Sequence, residues 1–181
     1  MTPDLETIKR VVLDAGVFEI GEVSMADLVF EPEIRRICEG NMCRSYGGCW
    51  ACPPAVGTLA ECEERCRQYD RFLLFNCRYP LKSSFDIKGM MTAMREFKTL
   101  TEKAADALRP LGLDYMLLSN EGCGKCAKCT WPDAPCRFPD RLYHSIEGYG
   151  FNVTRLSKLA GLHYNNGPGT VTYFGALLYK E

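Results

Sequence analysis

The chain is 181 residues long, with 22 Lys+Arg against 23 Asp+Glu, a formal net charge of -1 and 46% hydrophobic residues. So even a balance lacks the basic excess that counterion-release binding to nucleic acid needs, and no apolar run approaches the ~18–20 residues of a membrane span. The opening stretch carries Asp4 and Glu6 and no apolar core, so no signal peptide is expected and the chain is assigned to the cytoplasm.

Thr2 before Pro3 predicts a cap and first turn for a helix whose Leu5, Ile8, Val11 and Val12 share one face up to Gly16. Residues 17–30 mix β-branched and aromatic side chains around Gly21 and predict one or two short strands. A cysteine group over 38–52 follows, closed by Pro53 and Pro54. Thr58 and Glu61 stand at capping-box spacing ahead of a helix to about residue 69. Residues 71–77 (RFLLFNC) read as a buried strand. Asp86 caps a long helix in which Ile87, Met90, Met91, Met94, Phe97, Leu100, Ala104 and Leu108 keep an i, i+3, i+4 rhythm. A second buried strand covers 113–119, and a Gly/Pro/Cys-rich loop without periodicity covers 120–139. Short helices are expected at 140–148 and 154–160, and a Gly-Pro-Gly turn leads into a closing strand at 170–179. The pattern predicts a mixed α/β (α+β) fold, a small two-layer sheet with helices on one face, built as a single domain over 1–181.

Eleven cysteines in a reducing compartment point to metal binding or redox chemistry before disulfides. The only histidines are His144 and His163, so the donors must be thiolates. Cys123, Cys126 and Cys129 stand at C-x2-C-x2-C spacing, with Cys136 after six more residues. Such a run wraps one face of a cuboidal cluster while a remote fourth thiolate completes it, as in ferredoxin-type motifs. Zinc, the alternative, more often takes two separated C-x2-C knuckles. Lys125, Lys128, Arg137 and Arg141 lie in or just after the motif, where cations stabilise a reduced, anionic cluster. Each is equally well read as a solvated loop charge.

The second candidate group is Cys38, Cys43, Cys49 and Cys52, in a stretch whose Gly40, Gly47 and Gly48 permit tight turns. Cys62 and Cys66 fall on a helical core stripe with Leu59 and Tyr69. Cys62 also lies in the opening turns of its helix, where a thiolate is favoured, which makes it the candidate fourth ligand if Cys49 is not one. Cys77, in a strand, reads as core, as do Met90, Met91 and Met94 on their helix. Asn152-Val-Thr154 is a glycosylation sequence without meaning in the cytoplasm. Neither a Walker-type phosphate loop nor a G-x-G-x-x-G fingerprint is present, and His144, expected on a surface helix, has no Ser/Asp companions.

Two blocks, CEGNMCRSYGGCWACPPAVGTLAEC and CGKCAKCTWPDAPCRFPDRLYHSIEGYGFNV, resemble a cysteine-rich family of predicted metal-binding proteins met mainly in anaerobic bacteria and archaea. The resemblance covers most of the chain. It implies Cys38, Cys43 and Cys52 in the first block and Cys123, Cys126, Cys129 and Cys136 in the second as metal ligands, and does not require Cys49. It implies metal binding of iron–sulfur type and supplies no reaction.

The sequence thus predicts an iron–sulfur protein with a ferredoxin-like 4Fe–4S cluster on Cys123, Cys126, Cys129 and Cys136. A second cluster is expected on Cys38, Cys43 and Cys52, with Cys62, Cys49 or Cys66 as its fourth ligand. Its role would be one-electron transfer to a redox partner protein, with neither nucleic acid nor membrane as partner. The alternatives are an enzyme with an open iron on a three-cysteine cluster and a zinc-binding structural module. The oligomeric state is not legible.

Overall fold

The structure, a computed structural model, describes residues 3–181. Helix α1 (Leu5–Asp14) starts where the Asp4 carboxylate accepts the Thr7 amide at 2.8 Å, and it buries Ile8 and Val12. The cap expected at Thr2 lies outside the described residues; Asp4 fills that role. One strand, β1 (Glu19–Val23), and a 3-10 turn at Met25–Asp27 follow. Helix α2 (Pro32–Glu39) has no counterpart among the predicted elements: Ile34, Ile37 and Cys38 share one face, but the stripe is only two turns long and none of its residues is fully buried. It carries Cys38 in its last turn. Helix α3 (Leu59–Cys66) has the expected reciprocal capping box between Thr58 and Glu61.

The remaining elements are β2 (Arg71–Pro80), α4 (Ile87–Leu108), β3 (Tyr115–Ser119), β4 (His144–Ser145), α5 (Val153–Ala160) and β5 (Thr170–Tyr179). Asn152 caps α5 through the Arg155 amide at 3.1 Å. On α4 the apolar stripe becomes core only from Ala93 onward, while Ile87 and Met91 stand exposed. No helix forms over 140–148. The Ser145 amide bonds the Ala51 carbonyl and the Ile146 amide the Ser119 carbonyl, both at 2.8 Å, so this backbone is spent on the sheet and a neighbouring loop. Only 3-10 turns at Pro139–Arg141 and Glu147–Tyr149 flank β4.

The five strands lie in the order β1-β2-β5-β3-β4, antiparallel except for the parallel pair β3 and β4. The fold is mixed α+β, as predicted, but helices cover both faces of the sheet. Phe72, Leu74, Leu118, Ala176 and Leu178 pack with Cys62, Cys66 and Leu156 from α3 and α5. Leu73, Phe75, Leu117 and Leu177 pack with Ile8, Val12, Phe97 and Leu108 from α1 and α4. Burial on both sides is why the start of β2 is an unbroken apolar run without polar alternation. Among the described residues no helix is long and apolar enough to cross a membrane.

Helix α5 rests directly on β1: a Cβ on Gly21 would lie 2.2 Å from the Ala160 carbonyl oxygen. Gly21→Ala forces the two backbones apart and should cost about 1–3 kcal/mol. The expected result is a thermal midpoint lowered by several degrees. An unchanged midpoint would mean that α5 is not seated on β1 in solution.

Candidate metal centre

The two cysteine groups, remote in sequence, meet beside the end of β3. The Ser145–Ala51 bond stitches the loop carrying Cys49 and Cys52 to β4, the parallel neighbour of β3. From the end of β3 the chain passes through Asn120 and Gly122, and the Gly122 amide donates to Cys52 Sγ at 3.1 Å. Gly122 has φ +73°, and a Cβ there would stand 2.9 Å from Ser45 Oγ, so the approach of the loops needs glycine. Trp50 interlocks them further. Its Nε1 donates to Thr130 Oγ1 at 3.2 Å and to the Ala134 carbonyl at 3.1 Å, and its ring meets Trp131 edge-on at 4.7 Å.

A cavity of about 220 Å³ is bordered by five thiols, Cys49, Cys123, Cys126, Cys129 and Cys136. Backbone amides point at its sulfurs: Trp131 N–H at Cys129 Sγ over 3.5 Å and Phe138 N–H at Cys136 Sγ over 3.4 Å. Burial pushes the Cys123 thiol up, and the Lys125 amide opposes this. Arg44, Lys125, Arg137 and Arg141 also border the cavity. Two of these four tie the loop to α4, since Lys125 pairs with Glu102, and Arg141 with Glu102 at 3.6 Å and Asp106 at 3.0 Å. Arg137 donates to the Lys128 carbonyl at 2.9 Å.

A second cavity of about 300 Å³ is bordered by Cys38, Cys43 and Cys52, by Ile37, Met42, Tyr46 and Pro53, and by Glu121, Ser145 and Glu147. Burial, then the charge of Glu147, pushes the Cys38 thiol up to about 11. Burial, then Glu121, pushes the Glu147 carboxyl up to about 8. The Cys52 thiol, which faces this cavity, hydrogen-bonds Cys49, which faces the other. That bond holds Cys49 below the usual thiol value and raises Cys52.

Under both groups sits Lys98 of α4. Its Nζ donates to the Asn120 carbonyl at 3.2 Å, Asn120 Oδ1 at 2.9 Å and the Gly122 carbonyl at 2.9 Å. Burial lowers its pKa, while Glu121, Cys52, Cys123 and Glu147 act in the opposite direction.

The seven cysteines implied by the resemblance therefore divide between the cavities, four to the first and three to the second, and Cys49 joins the first. Cys62 borders neither. It is fully buried in the core with Cys66, its Sγ 3.6 Å from the Val56 carbonyl, and burial raises its pKa in spite of the helix start. Cys77 lies at the far end of β2, its Sγ 4.0 Å from the Gly16 carbonyl. His144 is on β4 and not on a surface helix; its Nδ1 meets Tyr149 Oη at 2.9 Å, and burial pushes it down to about 4. Lys98 and Glu147 escaped the sequence reading. A lysine one position after the core residue Phe97 was the one available trace of the first; the second had none.

The donor set fits a thiophilic metal group. Among the described residues, no three or more His, Cys, Asp or Glu side chains converge on a point fit for one metal ion. The thiols surround two volumes, and backbone amides are aimed at the sulfurs of Cys52, Cys129 and Cys136. No curated protein and no solved structure matches the chain. One family model does, over residues 21–179, and its match takes in both cysteine groups and the sheet between them. The chain belongs to the predicted metal-binding protein (DUF2284) family.

Proposed function

We propose that this protein is an iron–sulfur electron carrier, with one 4Fe–4S cluster on Cys123, Cys126, Cys129 and Cys136 and a second on Cys38, Cys43 and Cys52. The observation that carries the reading is the thiol-lined cavity with backbone amides directed at Cys129 and Cys136. When bound, such a group supplies reversible one-electron redox chemistry. The chain's own residues hold the thiolates, donate N–H bonds to their sulfurs and keep a cation, Lys98, between the two sets. The N–H bonds and the cation favour the more negative, reduced state. Cys49 and Cys52 form the shared wall, so an electron has a short route between the sites. Cys43 is exposed, and Ile37 and Met42 beside it are 64% and 90% exposed; this apolar rim is where we place a redox partner protein. Eleven free thiols suit the reducing cytoplasm.

The second cavity favours one other reading. It has three thiols and open space, so a metal there keeps a non-thiolate position and can act as a Lewis acid toward a small ligand, making the protein an enzyme.

Protein purified without oxygen should contain about eight irons and eight sulfides per chain, and its visible absorbance should bleach with dithionite. Zinc without sulfide would overturn the redox reading. Cys126→Ala should remove about half of that absorbance and iron; full iron in this variant would refute the assignment of the first cluster. Lys98→Met should lower the reduction potential in a spectroscopic titration, because the charge that stabilises the reduced form is gone. A potential equal to that of the parent would leave Lys98 with only the task of holding residues 120–122.

A further inference from the structure

The second cavity offers three thiols where a cuboidal cluster has four irons to ligate, and among the described residues no other cysteine borders it. Carboxylates border it instead, Glu121 and Glu147, and they are not equivalent. Glu147 Oε2 is shut off from solvent and has no hydrogen-bond partner among the described residues. The charge of Glu147 acts on Cys38, and that of Cys52 acts on Glu147. A desolvated carboxyl beside thiols keeps its proton unless something positive takes its place.

The position of this side chain is built into the fold. Glu147 opens the 3-10 turn after β4, and the Gly148 amide donates to Ser145 Oγ at 3.1 Å. The Gly148 carbonyl accepts from Arg35 at 2.8 Å, and Arg35 lies on α2, the helix that carries Cys38. The turn that bears the carboxylate is thus fastened to the helix that bears one of the thiols.

We propose that Glu147 is the fourth protein ligand of the second centre, joining Cys38, Cys43 and Cys52; this rests on the reading above that those thiols hold a cluster. The carboxyl proton leaves to solvent, and a carboxylate oxygen donates its lone pair to the iron that has no thiolate. No oxidation state changes. Carboxylate is harder than thiolate and holds a soft iron–sulfur metal less firmly. That iron is therefore the one lost first on oxidation, and the one a small ligand entering between Ile37, Met42 and Tyr46 would claim.

The test uses the full chain, reconstituted without oxygen with iron and sulfide. Mössbauer spectra of the unaltered protein should resolve one iron of the second cluster as distinct from its three neighbours. Glu147→Gln should keep the spectrum of the first cluster, which serves as the check on folding, but lose about one iron per chain on mild oxidation and show a three-iron EPR signal. Glu147→Cys should restore full iron and abolish that signal, and Glu121→Gln should lose no iron and show no three-iron signal. A Glu147→Gln protein with parental iron content and EPR would overturn the proposal, as would the three-iron signal arising from Glu121→Gln instead. Unaltered protein with about four irons, all on the first site, would overturn the earlier assignment of the second cluster, and this ligand with it.

Discussion

The Gly122 amide reaching Cys52 Sγ is the contact at which two cysteine groups become one site, and Lys98 is what holds it in place. A lysine ammonium has three protons, and here all three are taken by oxygens of Asn120 and Gly122. The charge itself is not paired with a carboxylate at contact distance; it sits within the field of Cys52, Cys123, Glu121 and Glu147. A buried cation with neutral acceptors is expensive in an empty site. Thiolates on either side offset that cost, so the same lysine that positions the loop makes the loop favour a negative centre.

Burial works the other way on the thiols. Burial pushes Cys38 and Cys123 up, and Cys49 and then burial push Cys52 up, so in the metal-free chain at neutral pH these three stand as neutral thiols. A metal that binds must displace their protons, and binding weakens as pH falls. The chain is therefore poised between two arrangements of charge: protonated sulfur around a strained cation without metal, and thiolate compensated by metal, Lys98 and backbone amides with it. Metal binding and the closing of residues 120–138 onto the Cys49–Cys52 loop draw on the same free energy.

Local chemistry was legible in the sequence wherever it acted within a few residues. The capping box at Thr58 and Glu61, the Asp86 cap of α4 and the apolar run of β2 all lie where their spacing puts them. The cysteine spacings set 123–136 apart from 38–52, yet Cys49 of the second set lines the first cavity. What escaped depends on contacts across the chain. Helix α2 is two turns long and held through Arg35 to Gly148, so its short stripe of Ile34, Ile37 and Cys38 is a faint signal; residues 140–148 are captured by Ser119 and Ala51. The coverage of both sheet faces was implicit in the unbroken run at Phe72–Phe75, which reads equally as a strand buried once or twice. Cys62 shows the reverse case: a thiol at a helix start has a local reason to ionise, and the core around it outweighs that reason.

The two cavities differ in the sign of what surrounds them. Arg44, Lys125, Arg137 and Arg141 border the first, and Glu121 and Glu147 the second. Lys125 and Arg141 are neutralised by Glu102 and Asp106, whereas Arg44 and Arg137 have no ion-pair partner among the described residues. Positive surroundings favour adding an electron and negative surroundings oppose it. The first cavity therefore favours added negative charge more than the second does. The second cavity is also the one with an exposed thiol, Cys43, and an apolar rim. The charges around each cavity, more than the thiols themselves, distinguish the two sites.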